Sequence, residues 1–246
     1  MEVKYIHRET QHNTRAADIV VPEIMKLLKP TSVLDVGCGI GTWLHVFAKN
    51  GVTSIKGVDG DYVDKQLLNK YIAQTDFLAK DLLRPFSLGQ KFDLVLSLEV
   101  AEHLPAESAD DFVSSLVLHG DTILFSAAIP DQVGQNHLNE QWPDYWADKF
   151  LAHGYKAYDV IRPLIWTDAR IDFWYRQNIL LFSKSELPFQ EARMLSVVLP
   201  EFWMQQRDRI KSKENQLKRI KEGKVGIGFY VKAIIKSLKY FGRKTV

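Results

Sequence analysis

Cysteine occurs once in the 246 residues, at Cys38, which excludes an intrachain disulfide and any multi-cysteine zinc site. No apolar run reaches the roughly 18 residues that a membrane-spanning helix needs. The opening MEVKYIHRETQHNT lacks the apolar segment of a signal peptide, so a cytoplasmic protein is expected. Internal repeats and low-complexity tracts are missing too. What remains is an ordinary globular composition, 46% hydrophobic and 25% charged, long enough for one sizeable α/β domain and an appendage.

Charge is unevenly spread. Residues 201–246 hold thirteen Lys/Arg against four Asp/Glu, a net of +9, whereas the preceding two hundred residues carry −7. Two pieces with different surroundings are therefore expected. From Thr31 to about Ser185, short apolar runs alternate with helical patterns. SVLDVG (32–37), SIKGVD (54–59), FDLVLSLE (92–99) and TILFSAA (122–128) read as buried parallel strands, with YKAYDVI (155–161) and NILLFSK (178–184) as two late ones. Such alternation predicts a doubly wound sheet. A helix is expected from about Ala16 to Leu28, with Ile19, Val20, Glu23 and Leu27 in register. After Pro188 the pattern reads as helix to the end. The expected parts are thus an N-terminal cap helix (1–30), a catalytic domain (31–188) and a helical, basic, amphipathic tail (189–246).

The stretch VLDVGCGIGTW (33–43) places Gly37, Gly39 and Gly41 just after the first strand, where open α/β sheets bind ligands. Glycines let backbone approach a ligand and adopt positive φ. Dinucleotide enzymes space their loop G-x-G-x-x-G; here the third glycine comes one residue early, and Asp35 precedes the loop. A carboxylate there suits an ammonium group better than a pyrophosphate. VLDVGCGIG resembles the first motif of class I S-adenosylmethionine-dependent methyltransferases, and the resemblance continues in order through residues 30–185.

That resemblance implies a seven-stranded, mainly parallel, Rossmann-like sheet with an antiparallel last strand. It also implies S-adenosylmethionine as cofactor. Asp35, Gly37, Cys38, Gly39 and Gly41 would form the methionine side of its site. Asp59, with Gly60 in GVDGD, would take the ribose hydroxyls, and Asp81 with Leu82 the adenine. Glu99, after the fourth strand, would lie near the methionine end of the cofactor.

LEVAEHLP brings Glu99, Glu102 and His103 into about one turn, and the loop after the fifth strand offers His137, Asn139 and Glu140. Those two loops are neighbours in a doubly wound sheet. Glu99, Glu102, His103 and His137 suit a divalent ion such as magnesium or manganese, which lowers the pKa of a bound hydroxyl. Glu102, His103 and His137 are equally candidates for direct catalysis, with His103 as a free base; ligand and base are rival roles for that imidazole. The E-x-x-E-H segment resembles those of small-RNA 3′-terminal 2′-O-methyltransferases and of ubiquinone-biosynthesis O-methyltransferases. The pattern running from FSAAIP to FWYRQN resembles methyltransferases of bacterial sugar-modifying and polysaccharide loci.

The expected activity is O-methylation of a sugar or nucleotide-sugar hydroxyl. The alternatives are an RNA 3′-terminal ribose, a quinone- or phenol-type acceptor, and a non-catalytic cofactor-binding subunit. Trp142, Trp146 and Phe150, at i, i+4, i+8, read as a core-facing stripe. Arg162, Arg170 and Arg176 suit an acceptor phosphate or carboxylate, and His12 or Asn13 the cofactor carboxylate or a helix cap. The stripe Ile227, Val231, Ile234, Ile235 and Leu238, with Lys232, Lys236 and Lys239 beside it, suits an anionic membrane surface, a partner enzyme or a second subunit. The acidic domain argues against nucleic acid as its partner.

Overall fold

The computed structural model describes residues 5–7 and 9–242, with side chains described up to Tyr240. Helix α1 (Arg15–Leu28) precedes strand β1 (Ser32–Val36), helix α2 (Thr42–Lys49) and strand β2 (Ser54–Asp59). The short α3 (Lys65–Leu68) leads to β3 (Phe77–Ala79) and β4 (Leu94–Leu98). Then come α4 (Ala109–His119), β5 (Thr122–Ser126), α5 (Pro143–Ala152) and β6 (Lys156–Tyr158). The short α6 (Arg162–Ile165) and α7 (Phe173–Asn178) precede β7 (Leu180–Ser183). Two long helices follow, α8 (Pro200–Lys221) and α9 (Ile227–Gly242).

The sheet order is β3-β2-β1-β4-β5-β7-β6, parallel through β5, with β7 antiparallel to both β5 and β6. The expected seven-stranded, mainly parallel sheet with an antiparallel last strand is therefore present. Side chains alternate between two cores, as a period of two requires. Val33, Leu94, Leu96, Leu124 and Leu181 pack with α1 and α2 on one face. Leu34, Val95, Ile123, Phe125 and Phe182 pack with α4 and α5 on the other. Helices cover both faces, which is why the strands read as continuous apolar runs. Trp146 and Phe150 lie in the second core, as their spacing predicted, while Trp142 ahead of α5 is exposed.

Some expectations need correction. The buried stripe of α1 is Ala16, Ala17, Val20, Val21 and Ile24, one residue round from the predicted register. Residues 189–199 form no helix. The first compact unit runs to Leu199, and the helical tail begins only at Pro200. Extended backbone here has partners: Arg162 donates to the Leu195 carbonyl (2.8 Å), and the Leu199 N–H donates to Gln177 Oε1 (2.8 Å). These bonds offset the loss of helical ones. Among the described residues, no helix is long and apolar enough to cross a membrane.

Candidate active site at the switch point of the sheet

The chain leaves β1 towards β2 on one side, and β4 stands on the other, so the order of the strands reverses between β1 and β4. Crevices at such reversals, outside the carboxyl ends of the strands, are where open α/β sheets hold ligands. The glycine loop (37–41) and the Glu99–His103 segment flank this reversal. They also touch: a Cβ at Gly37, whose φ is +84°, would fall 2.3 Å from Val100 Cγ2. Only glycine permits both the dihedral and the approach.

Asp59, at the end of β2, ties this half together. Its carboxylate accepts from Gly39 N (2.7 Å), Gly60 N (2.6 Å) and the Tyr62 hydroxyl (2.7 Å). A carboxylate offers about four lone-pair sites, so one is left over. A vicinal diol binding here must use that site and compete with Tyr62. Asp35 is buried beside Asp59, and burial first, then the neighbouring carboxylate, pushes its pKa up to about 8. Burial also raises Asp59, against the three hydrogen bonds that lower it. Two buried carboxylates form a site that favours a cation. Cys38 is buried with its sulfur beside Gly57, and burial drives its thiol up. Leu82 lies in the second core. Asp81 stands exposed in the turn after β3, where it accepts from Leu83 N (3.0 Å) and pairs with Arg84 at 3.6 Å.

The other half is built differently. Glu99, at φ +56°, accepts from Gln132 Nε2 (2.9 Å) and Asn178 Nδ2 (3.1 Å). Its carboxylate nonetheless lies beside the neighbouring cluster of Glu102, His103 and His137, within hydrogen-bonding reach of the Glu102 carboxyl. One ligand atom from each of those three residues lies within 4.8 Å of the others. Glu99, expected among the metal ligands, is not in that group. Glu102 is 1% exposed, its Oε2 has no hydrogen-bond partner, and neither has His103 Nδ1. Burial and the Glu99 charge raise Glu102 well above its ordinary value. Burial and His137 lower His103 to about 4.

Glu140 organises the loop that carries His137. Its carboxylate accepts from Asp131 N and Val133 N (both 2.8 Å) and from His137 Nδ1 (2.7 Å). A proton on Nδ1 leaves the Nε2 lone pair for a ligand, as carboxylate–histidine pairs do at metal centres. Five described non-glycine residues have positive φ, and four of them, Glu99, Asp131, Val133 and Asn136, lie in these two loops. For β-branched Val133 such a dihedral costs about 1–3 kcal/mol. Backbone strain and buried polar atoms without partners thus fall together in this half.

The segment before α1 bridges both halves. The His7 ring stacks on Tyr62 (centroids 6.1 Å apart, 7° between planes) and lies against Gly39. Tyr5 meets His103 edge-on at 4.9 Å, and its hydroxyl lies 3.2 Å from His12 Nε2. Tyr5, His7, Tyr62, Gln132 and Asn178 are site residues that sequence reasoning missed. Only Tyr62, three residues beyond Asp59, carries a local signal. Asn13, one residue before the N-cap Thr14, accepts from Arg15 N (3.0 Å) at the start of α1. The three arginines expected at an acceptor are engaged elsewhere. Buried Arg162 grips Asp159 at 2.7 and 2.8 Å, Arg170 pairs with Asp168, and Arg176 donates to the carbonyls of Ile171 and Trp166.

A family model described as a methyltransferase domain matches residues 7–158. The mitochondrial ubiquinone biosynthesis O-methyltransferase of Arabidopsis thaliana is 31% identical over 113 residues, covering 42% of this chain and 34% of that protein. The chain spans less than half the length of the curated relatives it matches. Among solved structures, an amino pentose methyltransferase from Micromonospora echinaspora, CalS10 with bound S-adenosylmethionine, superposes with a TM-score of 0.56. It shares 16% identity and covers 75% of this chain and 100% of that one. The methyltransferase domain of the bacterial protein CtHen1 gives a TM-score of 0.51 at 17% identity, covering 70% and 98%. At these identities the likeness is one of fold.

Proposed function

The chain belongs to the methyltransferase-domain family, and on that premise we propose that it transfers a methyl group from S-adenosylmethionine to a hydroxyl of a sugar or nucleotide-sugar intermediate. The observation that carries the acceptor side is the cluster of buried Glu102 with half-buried His103 and His137, with its unpartnered Oε2 and Nδ1, set across the strand reversal from Asp35 and Asp59.

S-adenosylmethionine supplies the activated carbon, a methyl on a sulfonium. Asp35 supplies buried negative charge for its cationic end, and Asp59 accepts from its ribose diol while holding the glycine loop. The chain's remaining task is to orient the acceptor hydroxyl and take its proton. His103, lowered to about 4 by burial, is a weak base at neutral pH but an uncharged ligand. That favours the metal role for it over the free base. Glu102, His103 and His137 would hold a divalent ion, which would lower the pKa of a hydroxyl bound beside them. Two imidazoles beside one carboxylate suit a first-row transition ion better than magnesium, which keeps to oxygen donors; manganese, the hardest of that row, is the one nearest to magnesium. An RNA 3′-terminal ribose offers the same diol, but the −7 charge of the first two hundred residues opposes a polyanion.

The test is methyl transfer from labelled cofactor to nucleotide sugars, a catechol-type phenol and a short RNA with a free 3′ end, each with and without manganese. Labelling of the sugars alone, dependent on the ion, is expected. Labelling of only RNA or only phenol would overturn the acceptor. Failure of all three, together with no binding of S-adenosylhomocysteine, would sink the methyltransferase reading.

A further inference from the structure

Helix α9 carries an apolar stripe of its own. Its 16 residues expose Ile227 (83%), Ile234 (59%) and Leu238 (67%), with half-exposed Val231 and Ile235 on the same stripe. Lys232, Lys236 and Lys239 line its flank, and residues 225–246 contain five Lys/Arg and no Asp or Glu. The preceding α8 differs: it mixes both signs of charge along 22 residues and has no continuous apolar stripe. Tyr230 fixes the junction, its hydroxyl donating to the Ile220 carbonyl at 2.7 Å.

We propose that α9 is an in-plane anchor for an anionic lipid bilayer, its aliphatic stripe in the acyl boundary and its lysines at the phosphates. At 1.5 Å rise, 16 residues reach about 24 Å, short of the roughly 30 Å hydrocarbon core, so the helix lies in the interface and does not cross it. Lysine suits that position because its stem covers apolar surface while the ammonium reaches the headgroups. A second copy of the chain is a poorer occupant. It would bring lysine rows together with no acidic residue between 225 and 246 to pair them, and like charges at an interface oppose association. An anionic headgroup layer supplies the missing counter-charge. The inference rests on the second unit alone and stands apart from the acceptor's identity.

The experiment is co-sedimentation of the full chain with vesicles of phosphatidylcholine mixed with phosphatidylglycerol, against phosphatidylcholine alone, at low and high salt. The mixed vesicles should bind it at least about tenfold better, with the preference falling as salt rises. Lys232→Gln, Lys236→Gln and Lys239→Gln together should lower partition about a hundredfold, at about fivefold per cation. Ile234→Asp with Leu238→Asp should abolish it and leave the thermal midpoint unchanged. If the aspartates lower helicity, the glutamine variant decides alone, and undiminished binding by it overturns the proposal. Equal binding to both vesicle types overturns it too. So does a concentration-dependent dimer, dispersed by the aspartates, that binds no vesicles; that result gives the stripe to a second copy.

Discussion

The two halves of the site satisfy their polar atoms in opposite ways. After β1 and β2, Asp59 takes hydrogen bonds from Gly39, Gly60 and Tyr62, so the half that would hold the cofactor is braced by the protein itself. After β4 and β5, Glu102 Oε2 and His103 Nδ1 are buried with no partner, on loops that carry four strained non-glycine residues. Leaving such atoms bare costs about 1–3 kcal/mol each, more for charged groups. A fold tolerates that where a ligand supplies the missing bonds. One half is a finished cradle and the other an open one, and their functions should separate on mutation.

The largest effect should come from the open half. Glu102→Ala or His103→Ala should lower methyl transfer about a hundredfold or more, with S-adenosylhomocysteine affinity within about threefold of the parent. A parallel loss of both would merge the two halves. Next is Asp59→Ala. It removes acceptors worth about 1.5–3 kcal/mol per hydrogen bond to a charged group, so two ribose bonds predict at least about a hundredfold loss of cofactor affinity. Calorimetry checks this, and unchanged affinity would place the cofactor elsewhere.

A pH series sharpens the same half. Asp35 has a folded pKa of about 8 and is mostly protonated at neutral pH in the free protein. A cationic ligand favours the ionised form, so binding must expel that proton. Affinity should therefore rise with pH, by at most about tenfold per unit, and level off above pH 8. Titrations in buffers of different ionisation enthalpy should show proton release at pH 7 and little at pH 9. Proton uptake would contradict it. The smallest effect is expected from Tyr62→Phe. Losing the competing hydroxyl on Asp59 should tighten the cofactor, by less than about tenfold. Weaker binding would mean that Tyr62 supports the loop and does not compete.

The same contrast governs what could be read in advance. Gly37, Gly39, Gly41, Asp35 and Asp59 fall within a few residues of strand ends, so their roles are written in short spacings. The Glu102, His103 and His137 grouping was also legible, because the loops after adjacent strands must meet. What holds those residues was not. Gln132 and Asn178, which donate to Glu99, lie 33 and 79 residues from it. Strand β3 was missed because its three residues sit at the sheet edge, with Leu78 and Ala79 exposed, and no apolar run marks them. Arg162 and Arg176 looked like ligand-binding groups. Their buried carbonyl partners come from segments no local pattern connects to them.

The most direct test of the two-half account is a pair of calorimetric titrations, of S-adenosylhomocysteine and of manganese, on metal-stripped parent and on His137→Ala. The account predicts that S-adenosylhomocysteine binds both proteins alike without metal, whereas manganese binds the parent and not the variant. Loss of S-adenosylhomocysteine binding in the variant, or equal manganese binding by both, would contradict it.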